Sequence, residues 1–189
     1  MNITQAQARE LFDYNPDTGA LVWRSARRGV TVGSVAGVIN ASGYRQAGVN
    51  RRIVLVHRLV WLLVYGELPA EIDHINGDRA DNRISNLRSA TGGQNKQNRR
   101  MLKRNTSGLK GVFFHKGMGL WHAQVNANGK PVARRFRTIF DAAAWVIPTR
   151  ERLHGEFANR GNYLSTQYLP TLTPDQVDAA IKLMPGDPT

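Results

Sequence analysis

No cysteine occurs among the 189 residues. That excludes disulfide staples and any cysteinyl zinc site, and it fits a reducing cytoplasm. No apolar run reaches 18 residues, so no transmembrane helix and no membrane association are expected. The opening Met-Asn-Ile-Thr-Gln has neither a basic nor an apolar segment, so no signal peptide is expected. Acidic residues are also scarce: 14 Asp and Glu stand against 26 Lys and Arg, a net charge of +12. The scarcity is concentrated. Between Asn82 and Phe140 there are 13 Lys or Arg and no Asp or Glu. A merely solvated surface mixes both signs, whereas a polyphosphate favours such a stretch because each neutralised phosphate releases condensed counterions. Double-stranded DNA is the expected partner.

Hydrophobic residues make up 41% of the chain, enough for packed cores, although modules of about 50–60 residues would each be marginal alone. Thr4-Gln-Ala-Gln7 is a capping-box pattern that marks a first helix, and Asn15-Pro-Asp-Thr-Gly19 is the turn cluster that follows it. Residues 21–23 read as a short strand, 44–49 and 53–57 as a hairpin pair, and 58–65 as an apolar helix stopped by Gly66 and Pro69. Residues 71–75 are then a strand, Asn76-Gly77-Asp78 a turn, and 84–88 the return segment. Thr91-Gly-Gly-Gln94 is a second capping box, opening a polar helix expected to run through Asn95 and Asn98 to Lys103 and Arg104. After a linker at Asn105-Thr-Ser-Gly108, three alternating strands follow at 111–115, 120–126 and 132–136. A helix from Phe140 to about Leu153 comes next, which Pro148 is expected to kink or break. Thr173-Pro-Asp175 marks a short helix in the tail.

Cleaving a phosphodiester needs an activated water, a cation on the non-bridging and leaving oxygens, and a fixed geometry for both. Histidine suits the first task, since its ordinary pKa of about 6.5 leaves it largely neutral and basic at pH 7. A hard divalent cation prefers carboxylate or amide oxygens, and Mg²⁺ keeps several waters beside one or two protein carboxylates. Such groups stand in four spaced blocks: His57-Arg-Leu-Val-Trp61, Ile72-Asp-His-Ile-Asn-Gly-Asp78, Asp81-Asn-Arg-Ile-Ser-Asn-Leu-Arg88 and Gln94-Asn-Lys-Gln-Asn98. Together, over about residues 53–100, they resemble the HNH endonucleases, and more narrowly the phage and intron-associated homing type. Upstream, Tyr14-Asn-Pro-Asp-Thr-Gly-Ala-Leu-Val-Trp23 and Gly43-Tyr44 resemble the N-terminal part that often accompanies this type.

The resemblance implies that Asp73 is a metal ligand and His74 the general base. It implies that Asn86 holds the framework and orients His74 by hydrogen bonding, and that Asn95 is the second ligand. Asn95 stands where the family name has a final histidine, as in the homing branch, and it leaves an oxygen ligand suited to Mg²⁺ or Mn²⁺ rather than zinc. Neighbours on a regular strand point to opposite faces, so the resemblance also implies a distorted strand end at Asp73-His74. Asn82 reads as a turn residue, and His57 as structural or phosphate-contacting. Arg88, Lys96, Asn98, Arg99, Arg100, Lys103 and Arg104 read as DNA-backbone contacts. Asn98, three residues after Asn95, could also share its face.

Ser107-Gly-Leu-Lys-Gly-Val112, Trp121-His-Ala-Gln-Val125, Phe136-Arg-Thr138 and Leu153-His-Gly-Glu-Phe-Ala158 resemble the plant ethylene-response-factor type of DNA-binding domain, over about residues 105–162. That resemblance implies a three-stranded antiparallel sheet on one helix, with the sheet laid in the major groove. Alternation independently turns Trp121, Ala123 and Val125 towards the helix, and His122, Gln124 and Asn126 away from it, where they could meet base edges or phosphates. Lys110, His115, Lys116, Lys130, Arg134 and Arg135 are further candidates for DNA contact, and His154 reads as structural.

The expected fold class is α+β, with a ββα-metal (HNH, or His-Me finger) nuclease unit and a three-stranded-sheet-and-helix DNA-binding module. The expected divisions are residues 1–52, a helix and strand-rich segment; 53–104, the nuclease unit with its basic helix; 105–162, the DNA-binding module; and 163–189, a tail. The expected activity is Mg²⁺- or Mn²⁺-dependent DNA hydrolysis by a monomer or homodimer of nicking or homing type, leaving 3′-hydroxyl and 5′-phosphate ends. The alternative is a non-catalytic DNA-binding regulator with a decayed nuclease fold.

Overall fold

Thr4 caps the first helix as its spacing predicts: its hydroxyl accepts from the Gln7 N–H while Gln7 Oε1 accepts from the Thr4 N–H, opening α1 (Gln5–Leu11). The computed structural model describes residues 3–99, 101 and 104–159; Arg100, Lys103 and the expected tail helix lie outside them. Contacts gather the chain into one compact unit up to Lys96 and a second from Gln97. The residues expected as a separate segment, 1–52, therefore fold in the same unit as Asp73 and His74.

In the first unit, β1 (Phe12–Tyr14) pairs antiparallel with β2 (Leu21–Trp23), and the Phe12 and Trp23 rings meet at 4.5 Å. β3 (Val38–Ile39), β4 (Arg45–Val49) and β5 (Arg52–Leu55) make a three-stranded antiparallel sheet in chain order. β5 leads directly into α2 (Val56–Tyr65), which buries Val56, Leu59, Val60, Leu62 and Leu63. Burial of such a side chain contributes roughly 1.5–3 kcal/mol. The helix stops at Gly66, left-handed at φ 82°, whose N–H caps the Leu62 carbonyl. β6 (Glu71–His74) pairs antiparallel with β7 (Leu87–Ala90), and α3 (Gly92–Gln97) follows, opened by the Thr91–Gln94 capping box.

Two expectations change here. The return segment is not strand from Ile84: Ile84–Asn86 is a single 3₁₀ turn, closed by the Asn86 N–H on the Arg83 carbonyl. The polar helix ends at Gln97 instead of continuing to residues 103–104. Its six residues include two glycines and none is buried, and a helix without a covered face has little to propagate it.

In the second unit, β8 (Val112–His115), β9 (Leu120–Ala127) and β10 (Lys130–Phe136) form an antiparallel sheet with β9 in the centre. α4 (Ile139–His154) packs on β9, so that Val112, Ala123, Val125, Ala142, Ala143, Trp145 and Val146 make the core. Pro148 does not break this helix. It removes one N–H from the helical ladder, but Trp145, Val146, Thr149 and Arg150 on either side are buried and hold the segment in place.

A close backbone approach in the first unit is at Gly19. It has φ 73°, and a Cβ there would lie 2.5 Å from the Arg83 nitrogen and 2.8 Å from the Asn82 carbonyl carbon. Gly19→Ala combines left-handed strain with a backbone clash, so urea unfolding should show a loss of about 2 kcal/mol or more.

Candidate active site

β6 is buried from Ile72 to His74, and its regular pairing with β7 sorts its side chains. Glu71 and Asp73 share one side and His74 takes the other. On the first side Asp73, 5% exposed, accepts from Arg88 Nε at 2.9 Å and Arg88 Nη2 at 2.7 Å, both on Oδ2. Arg88 is the cross-strand neighbour of Asp73, so its guanidinium is committed here rather than turned to solvent as a DNA contact would be. Asn95, on α3, donates through Nδ2 to Glu71 Oε2 at 2.6 Å, which leaves its Oδ1 as the acceptor end of the amide.

On the other side His74, 4% exposed, lies among rings. His57 meets it edge-on at 5.0 Å and Tyr44 lies 5.9 Å away. Tyr44 is covered in turn by the Arg79 guanidinium at 4.8 Å, and Arg79 donates to the Ser42 carbonyl. Burial pushes the His74 pKa below its ordinary value, against the pull of the Asn82 hydrogen bond and of the Asp73, Asp78 and Asp81 carboxylates. The imidazole is accordingly neutral at pH 7.

The Asn82 side chain is bonded to His74, its Oδ1 3.3 Å from Nε2. The expected orienter, Asn86, is occupied with the loop: Oδ1 accepts from the Asn76 N–H at 3.0 Å, and Nδ2 donates to the Asp81 carbonyl at 2.8 Å. The expected strand-end distortion is absent, since β6 stays in register with β7 through His74 and Leu87. Asp73 and His74 diverge as strand neighbours do.

Among the other candidates, Lys96, Arg99, Arg104, Lys116, Asn126, Lys130 and Arg135 are exposed. Asn98 is buried and accepts from Asn159 through both its carbonyl and its side-chain oxygen. Lys110 is turned inward, donating to the Gln97 and Arg99 carbonyls, with its pKa lowered to about 8 by burial and then by Arg150. Strand alternation separates two arginines that adjoin in sequence. Arg134 lies on the helix side with its guanidinium 5.9 Å from the Trp145 ring, whereas Arg135 pairs with His122 on the opposite face. His122 and Gln124 are half-buried on that outer face, His122 edge-on to Phe113 at 4.9 Å. His115 is exposed at the end of β8, and His154 bonds the Asn126 carbonyl at 2.7 Å.

Residues 54–97 match the family model of the HNH endonucleases. Protein 3.8 of Escherichia phage T7 is 39% identical over 104 residues, which are 54% of this chain and 86% of that protein. The chain belongs to the family of Protein 3.8. Its HNH endonuclease domain contains His57, Asp73, His74, Asn82, Asn86 and Asn95, together with both strands and the helix α3 that position them. No solved structure matches the chain.

Two features of the HNH domain's surroundings escaped the sequence reading. Tyr14 reaches the loop from 68 residues away, its hydroxyl donating to the Asn82 carbonyl at 3.1 Å and accepting from the Ile84 N–H at 2.8 Å. Residues 18–66 are a second acid-free stretch with seven arginines, a signal that counting charges along the whole chain would have found.

His57 gives a pH test of this packing. It is 5% exposed, its Nδ1 has no hydrogen-bond partner among the described residues, and burial, then His74 and Arg58, pushes its pKa down to about 3. The unfolded chain binds a proton near pH 6.5 that the folded chain refuses, so this contribution is complete above that pH and is lost as pH falls towards 3. Thermal unfolding between pH 6.5 and 4.5 should lose stability by up to about 1.4 kcal/mol per pH unit from this group. His57→Leu should flatten the slope.

Proposed function

We propose that this protein is a divalent-metal-dependent DNA endonuclease in which His74 is the general base and Asp73 and Asn95 are the cation ligands. One observation carries the reading: within the HNH match, a single strand presents a buried carboxylate and a buried neutral imidazole at consecutive positions. In-line displacement at phosphorus sets the attacking and leaving oxygens on opposite sides. Both oxygens flank one phosphorus, so the base and the cation ligand must converge on a single phosphate, and the reading requires the strand end to turn Asp73 and His74 towards each other when DNA and cation bind.

The donors suit a hard cation. The Asp73 carboxylate and the Asn95 amide oxygen are oxygen ligands of the kind Mg²⁺ and Mn²⁺ accept. Among the described residues no three His, Asp or Glu side chains gather as a metal cluster, so a cation held by these two keeps much of its sphere for water and phosphate. When bound, it would supply charge stabilisation to the phosphoryl oxygens and the leaving 3′-oxygen. His74 takes the proton of the attacking water, with its ring held neutral by burial. Asn86 keeps the loop closed over the strand pair through Asn76 and Asp81.

The substrate reading rests on charge. The exposed Lys96, Arg99, Arg104, Lys116, Lys130 and Arg135 lie in the acid-free stretch, and they would contact phosphates together with Arg100 and Lys103. The outer sheet face of His122, Gln124 and Asn126, like that of the ethylene-response-factor type, would meet DNA in the major groove. One such centre per chain nicks one strand, and a homodimer would be needed to cut both at once. A homing-type role is part of the same proposal.

The second reading, a DNA-binding protein without catalysis, draws on the two contacts that Arg88 makes to Asp73 Oδ2. Incubation with supercoiled plasmid and with native phage DNA separates the two. Mg²⁺ or Mn²⁺ should give nicking that EDTA abolishes, and His74→Ala should lower the rate by about 10²–10⁴-fold with binding retained. Retained binding without metal-dependent nicking on either DNA favours the second reading.

A further inference from the structure

Asn82 is 2% exposed and sits in the loop between β6 and β7. Its Nδ2 donates to the Ala80 carbonyl at 3.1 Å. A carbonyl can only accept, so this bond fixes which end of the amide is which, and the end turned to His74 Nε2 is the oxygen, at 3.3 Å. An amide oxygen also only accepts. The neutral His74 ring must therefore carry its proton on Nε2 to make this bond, which puts the lone pair on Nδ1.

The rest of the loop prevents Asn82 from turning. The Tyr14 hydroxyl bridges the Asn82 carbonyl and the Ile84 N–H. Gly19 leaves no space for a side chain beside the Asn82 and Arg83 backbone. Asn86 ties down Asp81 from the other side. His57 and Tyr44 limit the tilt of the His74 ring, at 5.0 and 5.9 Å.

We propose that Asn82 is a positioning residue that holds neutral His74 as the Nε2–H tautomer, so that Nδ1 is the proton-accepting atom, and that Tyr14 holds Asn82 in place. The assignment of Nδ1 as the accepting atom rests on the nuclease reading of His74; the tautomer and the role of Asn82 do not.

Histidine-¹⁵N-labelled full-length protein, observed at pH 8 by long-range proton–nitrogen correlation, reads the tautomer directly. A pyrrole-like Nε2 and a pyridine-like Nδ1 are expected for His74; a proton on Nδ1 overturns the proposal, whatever the enzyme does. Asn82→Ala should let the ring average between tautomers, while Asn82→Asp keeps an acceptor and should keep the proton on Nε2. A single fixed Nε2–H tautomer in Asn82→Ala overturns the role of Asn82. Tyr14→Phe should broaden the same His74 signals, and unchanged signals overturn the part assigned to Tyr14. In the nicking assay Asn82→Ala should lower kcat by about 10- to 100-fold with DNA affinity unchanged, less than the loss expected for removing the base itself. If the wild-type protein shows the Nε2–H tautomer but no nicking on any DNA, the positioning role of Asn82 stands and the nuclease reading falls.

Discussion

The constraint on which the HNH domain depends is polar satisfaction in the loop between β6 and β7. The segment from Ile75 to Arg83 has no helix or strand to pair its backbone, yet it passes over buried side chains where unpaired groups are costly. Three asparagines share that task with the loop's own backbone turns and with Asp78. Asn76 receives the Asp78 N–H on Oδ1, Asn82 answers Ala80, and Asn86 closes both the Asn76 N–H and the Asp81 carbonyl. Asp81 adds a surface clamp on Arg83, with its pKa lowered to about 2 by that partner. Where such a loop sits determines where His74 can look.

The same loop explains how a buried imidazole can coexist with a strongly basic chain. Cationic residues far from His74 are screened by water and salt, whereas burial acts on the ring at contact range. The bonded amide and three nearby carboxylates oppose that burial, and burial remains the larger effect. Arg88, whose guanidinium is bonded within the strand pair, is matched by Asp73, with side-chain exposures of 12% and 6%. Net charge and local proton affinity are thus set by different parts of the molecule: one gives the chain its +12, the other keeps the His74 ring neutral.

Local signals were legible in the sequence. The capping boxes at Thr4 and Thr91, the alternation of Trp121 to Val125 and the apolar run of α2 each depend on neighbours a few residues away, and each appears in the structure where those patterns put it. The HNH blocks were legible for the same reason, as residue types at fixed spacing. Ends and partners were harder to read. α3 stops early because a helix end reflects what covers it, and α4 continues through Pro148 because burial on both flanks outweighs one lost hydrogen bond. Arg88 looks like any basic residue until β7 sets it opposite Asp73, and Asn82 looks like a turn residue until Tyr14 arrives from β1.

The Tyr14 bridge also bears on how such a protein can be inherited. The residues matched to the HNH family, 54–97, do not contain the hydroxyl that joins Asn82 to Ile84, nor the glycine that lets β1 and β2 approach them. Recombination that joined this HNH segment to an unrelated N-terminal sequence would leave a buried carbonyl and a backbone N–H without their shared partner. The unit that can be exchanged intact between genomes is therefore longer than the conspicuous motif. It begins upstream with the first hairpin, and a donor sequence must supply both halves together.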